Sequence, residues 1–200
     1  MKTQNPFIHN CSICKTRCDG KSKGVYNFKN DVVFAEEQEN LIINKINKNP
    51  KYFAKKTSEA GYPDIEIFTK NHILISYLEV KAQRRTFMSV EKILPQSNLK
   101  PSETLALNLS DLLRYFEIEQ QTNIPTSILW VLLNRPCLIN NNQTRFFYQR
   151  TTQLKKIYLQ EKNKRRFKRE SGKGDVVNGV HKGVTVNYHF SINELIEWKK

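Results

Sequence analysis

The sequence predicts an α/β domain whose mixed β-sheet is covered by helices. Two strongly apolar runs, "DIEIF" and "HILISYLEVKAQ", have the composition and alternation of β-strands. Segments in which apolar residues recur at helical spacing stand before and after these runs. The 200 residues allow one core, or one core with a small addition, and a hydrophobic content of 38% is enough to form it.

The first elements follow from Asp31 onward. "DVVFAEEQENLIINKINKN" predicts a helix capped by Asp31 and ended by Pro50, with Ile42, Ile43 and Ile46 on one stripe. "KYFAKK" predicts a short strand, and the two apolar runs predict a hairpin joined through "TKNH". Both alternating faces of the second run are apolar, which is typical of an interior strand covered on both sides.

The later elements alternate in the same way. "LSDLLRYFEIEQQ" predicts a helix with Ser110 as its cap, and "SILWVLLN" predicts another buried strand. A very basic helix is expected from Thr151 to Arg169, followed by a strand in "VTVNYHFS" and a short helix opened by the capping-box pair Ser191 and Glu194. This order divides the chain into a Cys-containing segment, an α/β core and a basic extension packed on it, at residues 1–30, 31–135 and 136–200.

The charge points to a polyanionic partner. The chain has 33 Lys+Arg against 19 Asp+Glu, a net charge of +14. Such a balance is typical of proteins that bind nucleic acid, here expected to be double-stranded DNA, although a ribosome-associated or membrane-surface protein would also be basic. The N-terminus has no signal-peptide pattern, and "SILWVLL" is too short to span a membrane, so we expect a cytoplasmic protein.

One group of charged residues lies at the ends of the predicted hairpin strands. Asp64 follows Pro63 at the start of the first strand, while Glu79 and Lys81 share one face near the end of the second. If the strands pair, two carboxylates and one ammonium converge, an arrangement that recruits a hard cation such as Mg²⁺. The alternative is structural: Asp64 caps a turn, and Glu79 and Lys81 form a surface ion pair.

Pro63-Asp64, a spacer, and then Glu79-Val80-Lys81 resemble the PD-(D/E)xK signature of the restriction-endonuclease-like nuclease superfamily. The resemblance implies an αβββαβ core over about residues 31 to 135. It makes Asp64 and Glu79 metal ligands with the Val80 carbonyl as a third, and Lys81 the catalytic lysine. The cofactor would be Mg²⁺, with Mn²⁺ as a substitute.

The superfamily often adds a glutamate from the first helix. Glu39 shares the stripe of the helix isoleucines and is the candidate, with Glu36 in reserve. Glu66, on the strand face of Asp64, is expected to be peripheral. Gln83 resembles a glutamine that some branches carry two residues past the lysine, and we expect it, with Arg84 and Arg85, to contact DNA.

A compact chain of this kind most resembles a type II restriction endonuclease, an enzyme that often acts as a homodimer. Two alternatives are a structure-specific nuclease, such as a Holliday-junction resolvase or repair nuclease, and a non-catalytic nucleic-acid-binding protein. Phosphate contacts are expected from the basic run near the C-terminus, which comprises Lys162, Lys164, Arg165, Arg166, Lys168 and Arg169.

The N-terminal segment contains a further candidate site. "HNCSICKTRC" places His9, Cys11, Cys14 and Cys18 close together, and the Cys11–Cys14 spacing suits a structural Zn²⁺. A second, well-separated pair is absent from the sequence, so Cys18 and either His9 or Cys137 would have to complete the set. Free thiols are the alternative.

Overall fold

The computed structural model describes residues 28–83, 86–133, 144–168, 176–177, 180–181 and 186–199. Four α-helices lie in these ranges: α1 (Phe28–Asn47), α2 (Val90–Ile93), α3 (Leu109–Thr122) and α4 (Thr151–Glu161). Short 3₁₀ turns occur at Pro95–Ser97, Lys162–Arg165 and Ile192–Glu194. In these ranges, no helix combines the length and the apolar character that crossing a membrane requires.

Eleven β-strands lie within the same ranges. They are β1 (Tyr52–Lys56), β2 (Ile65–Thr69), β3 (Leu74–Gln83), β4 (Thr104–Asn108), β5 (Thr126–Leu132), β6 (Arg145–Arg150), β7 (Arg166–Lys168), β8 (Val176–Val177), β9 (Val180–His181), β10 (Val186–Ser191) and β11 (Ile196–Glu197). They form sheets of six, three and two strands.

The six-stranded sheet is the centre of the fold. Its order is β1-β2-β3-β5-β6-β11, with β3 and β5 parallel and the other neighbouring pairs antiparallel. The predicted mixed sheet flanked by helices is therefore confirmed. The hairpin of β2 and β3 is confirmed as well, and β3 is an interior strand, since it pairs with β2 on one side and with β5 on the other.

Each face of this sheet has its own apolar cluster. Ile42 of α1 packs with Leu78, Val80 and other residues on one face. On the opposite face, Tyr77 and Trp130 pack with residues of α3, α4, β4 and β10. Because side chains alternate along a strand, Glu79 and Lys81 lie on the face covered by α3.

The second sheet, of order β4-β10-β7, covers part of the α3 face. Two hydrogen bonds join it to the central sheet: Trp130 Nε1 donates to the Ala106 carbonyl at 3.2 Å, and the Ala106 amide donates to Gln83 Oε1 at 3.3 Å. Strand β4 was not among the elements predicted from the sequence. Its residues Leu105 and Leu107 are buried against α3, so tertiary contacts define this strand.

Several predicted boundaries were wrong. Helix α1 begins at Phe28, so Asp31 lies inside it, and α3 begins at Leu109 with Asn108, not Ser110, as the cap: the Asn108 side chain accepts a hydrogen bond from the Ser110 amide. The capping box of Ser191 and Glu194 is present as predicted.

The expected basic helix from Thr151 to Arg169 ends at Glu161. Lys162 adopts a left-handed φ of 48°, which ends the helix, and β7 then pairs with β10. The part of the chain expected as an extension, beginning at residue 136, supplies β6 and β11 of the central sheet and both β7 and β10 of the second sheet.

Candidate active site

Asp64 and Glu79 meet where β2 begins beside β3. The register pairs Ile65 with Leu78, so the preceding residue, Asp64, faces Glu79. The Val80 amide donates to Asp64 Oδ2 at 2.8 Å, and the Asp64 amide donates to Glu79 Oε2 at 3.3 Å. Each carboxylate is thus held by the backbone of the other strand segment, which fixes the two acids side by side.

Lys81 lies on the same strand face as Glu79 and forms an ion pair with it. The Glu79 side chain is only 2% exposed, whereas that of Lys81 is 32% exposed, so the ammonium lies between the buried acid and solvent. Burial lowers the pKa of Lys81, but the charges of Glu79, Asp64 and Asp111 raise it by more, and the net shift is upward. The amine is therefore held as a cation.

The site contains more negative charge than Lys81 neutralises. Burial, and then the charge of Glu79, raise the pKa of Asp64 to about 7, with a smaller upward contribution from Glu39. The Val80 amide and Lys81 act in the opposite direction without cancelling it. A bound cation would relieve this repulsion directly, because it favours the ionised form of both carboxylates.

Glu39 approaches this edge of the sheet from α1. That helix packs on the Leu78 and Val80 face, opposite Glu79 and Lys81. The Glu39 carboxylate forms an ion pair with Lys56 at 3.0 Å and is 16% exposed. Glu36 is exposed, so Glu39 is the glutamate of α1 whose charge reaches Asp64.

Glu66 and Gln83, two further polar residues of the hairpin strands, have structural partners. Glu66 forms an ion pair with Lys55 at 3.2 Å on the β1 side of the sheet. Gln83 accepts a hydrogen bond from the Ala106 amide and so joins β3 to β4. The structure thus shows Gln83 in a contact between the two sheets. Its expected contact with DNA stays a prediction.

Helix α3 supplies three residues that the sequence analysis missed. Asp111 Oδ2 lies 3.9 Å from Lys81 Nζ, and Asp111 Oδ1 accepts from Arg114 at 2.9 Å. Burial, then the charge of Glu79 and a hydrogen bond to it, raise the pKa of Tyr115, so its hydroxyl is protonated and donates to Glu79. The signal in the sequence was the spacing of four between Asp111 and Tyr115, which places both on one helix face.

The donor set fits a hard divalent cation. Asp64 and Glu79 offer carboxylate oxygens, and the Val80 amide already points to Asp64, with the carbonyl of the same residue on the same side of the strand. Oxygen ligands of this kind, completed by water, suit Mg²⁺. The described ranges contain no cluster of three or more His, Cys, Asp or Glu residues that could hold a metal, so the carbonyl and water would have to complete the set.

The basic run near the C-terminus is divided by the structure. Lys162, Lys164, Arg166 and Lys168 are exposed. The Arg165 side chain is only 9% exposed and pairs with Glu194 at 2.7 Å and with Glu161 at 3.7 Å. This geometry contradicts the expectation that Arg165 contacts phosphate, because its guanidinium is turned inward to two carboxylates.

Two of the exposed cations, Arg166 and Lys168, belong to β7, which packs near the segment that follows β3. Phe167, between Arg166 and Lys168, packs against Phe87 with ring centroids 5.4 Å apart. Phe87 follows Gln83, the end of β3, by four residues.

The remaining expected contacts and ligands lie outside the described residues: Arg84, Arg85, Arg169, His9, Cys11, Cys14, Cys18 and Cys137. The zinc hypothesis stays a prediction.

Comparisons with known proteins add little to this geometry. No protein-family model and no curated protein matches the chain. Among solved structures, the chain is similar to Hjc of Archaeoglobus fulgidus, a Holliday junction resolvase from an archaeal hyperthermophile, with 10% identity over 82% of this chain and 91% of that one and a TM-score of 0.43. A likeness of this degree carries no conclusion about activity, which must be inferred from the site itself.

Proposed function

We propose that this protein is a divalent-metal-dependent endonuclease that hydrolyses phosphodiester bonds in DNA. The observation that carries the proposal is the mutual contact of Asp64 and Glu79 across the start of β2, with Lys81 on the face of Glu79. Buried like charges that face each other are costly, and such pairs are concentrated at functional sites.

The order of elements supports the same proposal. Helix α1, strands β1, β2 and β3, helix α3 and strand β5 follow the αβββαβ order that the resemblance to PD-(D/E)xK nucleases implies, with α2 and β4 inserted before α3. Asp64 directly precedes β2, and Glu79 and Lys81 lie in the second half of β3, an arrangement that agrees with the resemblance. We therefore propose a restriction-endonuclease-like core for this chain.

Asp64, Glu79 and the Val80 carbonyl are the groups that would hold the cation, and Glu39 would add negative charge from the α1 side. Mg²⁺, when bound at such a site, polarises a phosphodiester oxygen and lowers the pKa of a coordinated water. The protein's own contribution is to fix its oxygen donors through the reciprocal backbone hydrogen bonds of Asp64 and Glu79. This arrangement requires little reorganisation when substrate arrives.

Lys81 has a separate role in the proposal. Its ammonium is partly exposed, so it can donate a hydrogen bond to the attacking water or to a phosphate oxygen while Glu79 holds its other side. A fixed positive charge next to the phosphate stabilises the negative charge that develops in the transition state. Replacing Lys81 by an uncharged residue should therefore remove catalysis, and a thermal melt of the variant checks that the protein remains folded.

Substrate binding is assigned to the exposed cations. The net charge of +14 favours a polyanion; Lys162, Lys164, Arg166 and Lys168 are exposed, and β7, which carries the last two, packs near the segment that follows β3. We call these four residues the basic surface. Contacts of this kind give affinity and position without reading sequence. We propose duplex DNA as the substrate, with a homodimer as the form that would cut both strands.

The experiment that tests the proposal is a digest of a long plasmid with and without Mg²⁺, beside the Lys81→Ala protein. Cleavage that needs both Mg²⁺ and Lys81 supports the nuclease. If the plasmid stays intact, branched DNA is digested under the same conditions. Intact plasmid and intact branched DNA in the presence of Mg²⁺ or Mn²⁺, with retained DNA binding, would show a non-catalytic binding protein instead.

The same digest decides the biological role. We propose a type II site-specific restriction endonuclease, which produces discrete fragments from linear duplex DNA. Selective cutting of four-way junctions, with linear duplex left intact, would instead make the protein a structure-specific nuclease. Both results require the site described above, and they differ in the DNA that the surrounding surface accepts.

A further inference from the structure

Five polar side chains, which include Glu79 and Lys81 of the proposed site, form a closed ring. Glu79 forms an ion pair with Lys81, and the Lys81 Nζ lies 3.9 Å from Asp111 Oδ2. Asp111 accepts from Arg114 at 2.9 Å, Arg114 hydrogen-bonds with the Tyr115 hydroxyl, and that hydroxyl hydrogen-bonds with Glu79. We call these residues the polar ring. Two of them belong to β3 and three to α3, so the helix and the strand share one network.

Tyr115 occupies the most buried position that α3 contributes to the ring. The residue is 2% exposed and belongs to the apolar cluster on the α3 face of the sheet. A rigid ring held by packing leaves its hydroxyl little freedom, so the hydrogen bond to Glu79 has a fixed direction. The buried carboxylate of Glu79 is thereby held from the helix side as well as by the Asp64 amide.

Arg114 connects the polar ring to the segment that carries Asp64. Gly61 has a left-handed φ of 87°, and a Cβ placed on it would lie 3.8 Å from Cδ of Arg114. The arginine side chain therefore passes against the turn that leads through Pro63 to Asp64. Through this contact α3 touches both segments of the site, the turn before β2 and the end of β3.

We propose that Tyr115 and Asp111 are positioning residues of this site. Tyr115 fixes the orientation of the Glu79 carboxylate for a divalent cation, and Asp111 keeps the Lys81 ammonium in place when Glu79 serves as a metal ligand. This inference rests on the proposed nuclease function. Neither residue was among the candidates that the sequence motif indicates, because both lie on α3.

The two roles are needed because several groups compete for the Glu79 carboxylate. In the structure, Glu79 is shared by the Lys81 ammonium, the Tyr115 hydroxyl and the Asp64 amide. A carboxylate that also binds a cation has less negative charge to offer Lys81, so the ammonium needs another acceptor. Asp64 is itself a proposed ligand, and Asp111, 3.9 Å from the ammonium, is a nearby carboxylate that is not assigned to the cation. Groups that orient a metal ligand in this way affect metal affinity or activity about 10- to 100-fold.

Tyr115→Phe tests the first half of the proposal, with Tyr188→Phe as a matched control. Tyr188 is fully buried in the same apolar cluster, and its hydroxyl has no hydrogen-bond partner among the residues that the structure describes. Binding of Mn²⁺ is measured by titration calorimetry without DNA. We expect Tyr115→Phe to weaken Mn²⁺ binding about 10-fold and Tyr188→Phe to leave it unchanged. Unchanged binding by Tyr115→Phe would overturn the assignment.

Asp111→Asn tests the second half, with Glu117→Gln as its control. Glu117 is exposed on the same helix, so its substitution removes the same charge away from the site. We expect Asp111→Asn to lower the single-turnover cleavage rate about 10-fold at saturating Mg²⁺, with a smaller change in Mn²⁺ affinity. Equal cleavage rates for Asp111→Asn and Glu117→Gln would overturn the role of Asp111.

The wild-type protein separates failure of this inference from failure of the proposed function. If the wild type shows metal-dependent cleavage, and Tyr115→Phe and Asp111→Asn both match it in Mn²⁺ binding and in cleavage, the positioning roles alone are overturned. A wild type that binds no Mn²⁺ and cuts no DNA overturns both. Thermal melts of all four variants check that differences in cleavage arise in folded protein.

Discussion

Two buried glutamates of this protein have very different surroundings. Glu103, 8% exposed beside β4, accepts hydrogen bonds from Ser191 Oγ at 2.9 Å, Asn193 Nδ2 at 2.7 Å and the Lys100 amide at 2.9 Å. These partners are neutral donors. Glu79 is buried to a similar degree, but it faces a second carboxylate, Asp64, and holds an ammonium.

The comparison shows why burial of an acid does not by itself mark a site. Around Glu103 the donors satisfy the carboxylate and join β10 and the turn after it to β4, so the group stabilises the fold. Around Glu79 a second carboxylate lies alongside, and burial, followed by the charge of Glu79, raises the pKa of Asp64 to about 7. A like-charge neighbour is an energetic cost in the fold, and that cost is explained if the pair binds a cation.

The largest expected effect tests the Glu79 side of this comparison. Glu79→Gln keeps the shape of the side chain and removes its charge. The loss of a charged metal ligand should remove several kcal/mol of transition-state stabilisation, which corresponds to roughly a 10³-fold lower single-turnover rate of DNA cleavage. A circular-dichroism melt of the same protein checks folding. Cleavage at the wild-type rate would remove the distinction between the two glutamates.

A pH effect is expected on the Glu103 side of the molecule, where His189 of β10 is buried. Burial lowers the pKa of His189 from 6.5 to about 4. Its Nδ1 lies 3.2 Å from the Arg165 carbonyl, and its ring is next to those of Phe87 and Phe167. The fold favours the neutral ring. Stability from this group is therefore complete above about pH 6.5 and falls by roughly 3 kcal/mol as the pH drops toward 4.

Urea unfolding at a series of pH values measures this loss, with His189→Asn as the comparison. Asparagine keeps a donor for the Arg165 carbonyl and does not titrate in this range. We expect the stability of the wild type to fall more steeply than that of the variant between pH 6.5 and 4. Parallel pH profiles would show that His189 does not contribute.

A smaller loss of stability is expected for Glu103→Ala. The substitution leaves the Ser191, Asn193 and Lys100 donors without their acceptor, which should destabilise the protein by about 2 kcal/mol in urea unfolding. Glu91→Ala is the control, since its ion pair with Lys100 is exposed and should contribute less than about 1 kcal/mol. A large fall in cleavage rate per folded molecule would contradict a purely structural Glu103.

The smallest effect concerns the exposed cations, which contrast with buried Arg165. Replacing Lys164 and Arg166 by serine should lower affinity for all DNA sequences and reduce the slope of log K against log salt by about 1.8, or 0.9 for each lost phosphate contact. Fluorescence anisotropy across a salt series measures this slope. The double serine variant of Lys51 and Lys70, which are exposed away from the site, is the charge-matched control. Equal slopes for the two double variants would exclude the basic surface.

The hairpin and its acids could be predicted because their determinants are local. Alternation along "ISYLEVK" places Glu79 and Lys81 on one face, and a hairpin brings Asp64 opposite. The error at Arg165 has a different origin. In "KNKRRFK" every charged residue looks equally solvated, and the side chain that turns inward depends on Glu194, 29 residues further along the chain from Arg165. Strand β4 was missed for a similar reason, since its partner β10 follows much later in sequence.

The sequence by itself determined the α/β class, the central hairpin and the convergence of two carboxylates with one lysine, because strand alternation and hairpin pairing depend on nearby residues. Only the tertiary structure decided that Asp111, Arg114 and Tyr115 close a ring with Glu79 and Lys81. That contact joins a helix to a strand about 30 residues earlier, and long-range packing of this kind is set by the whole core.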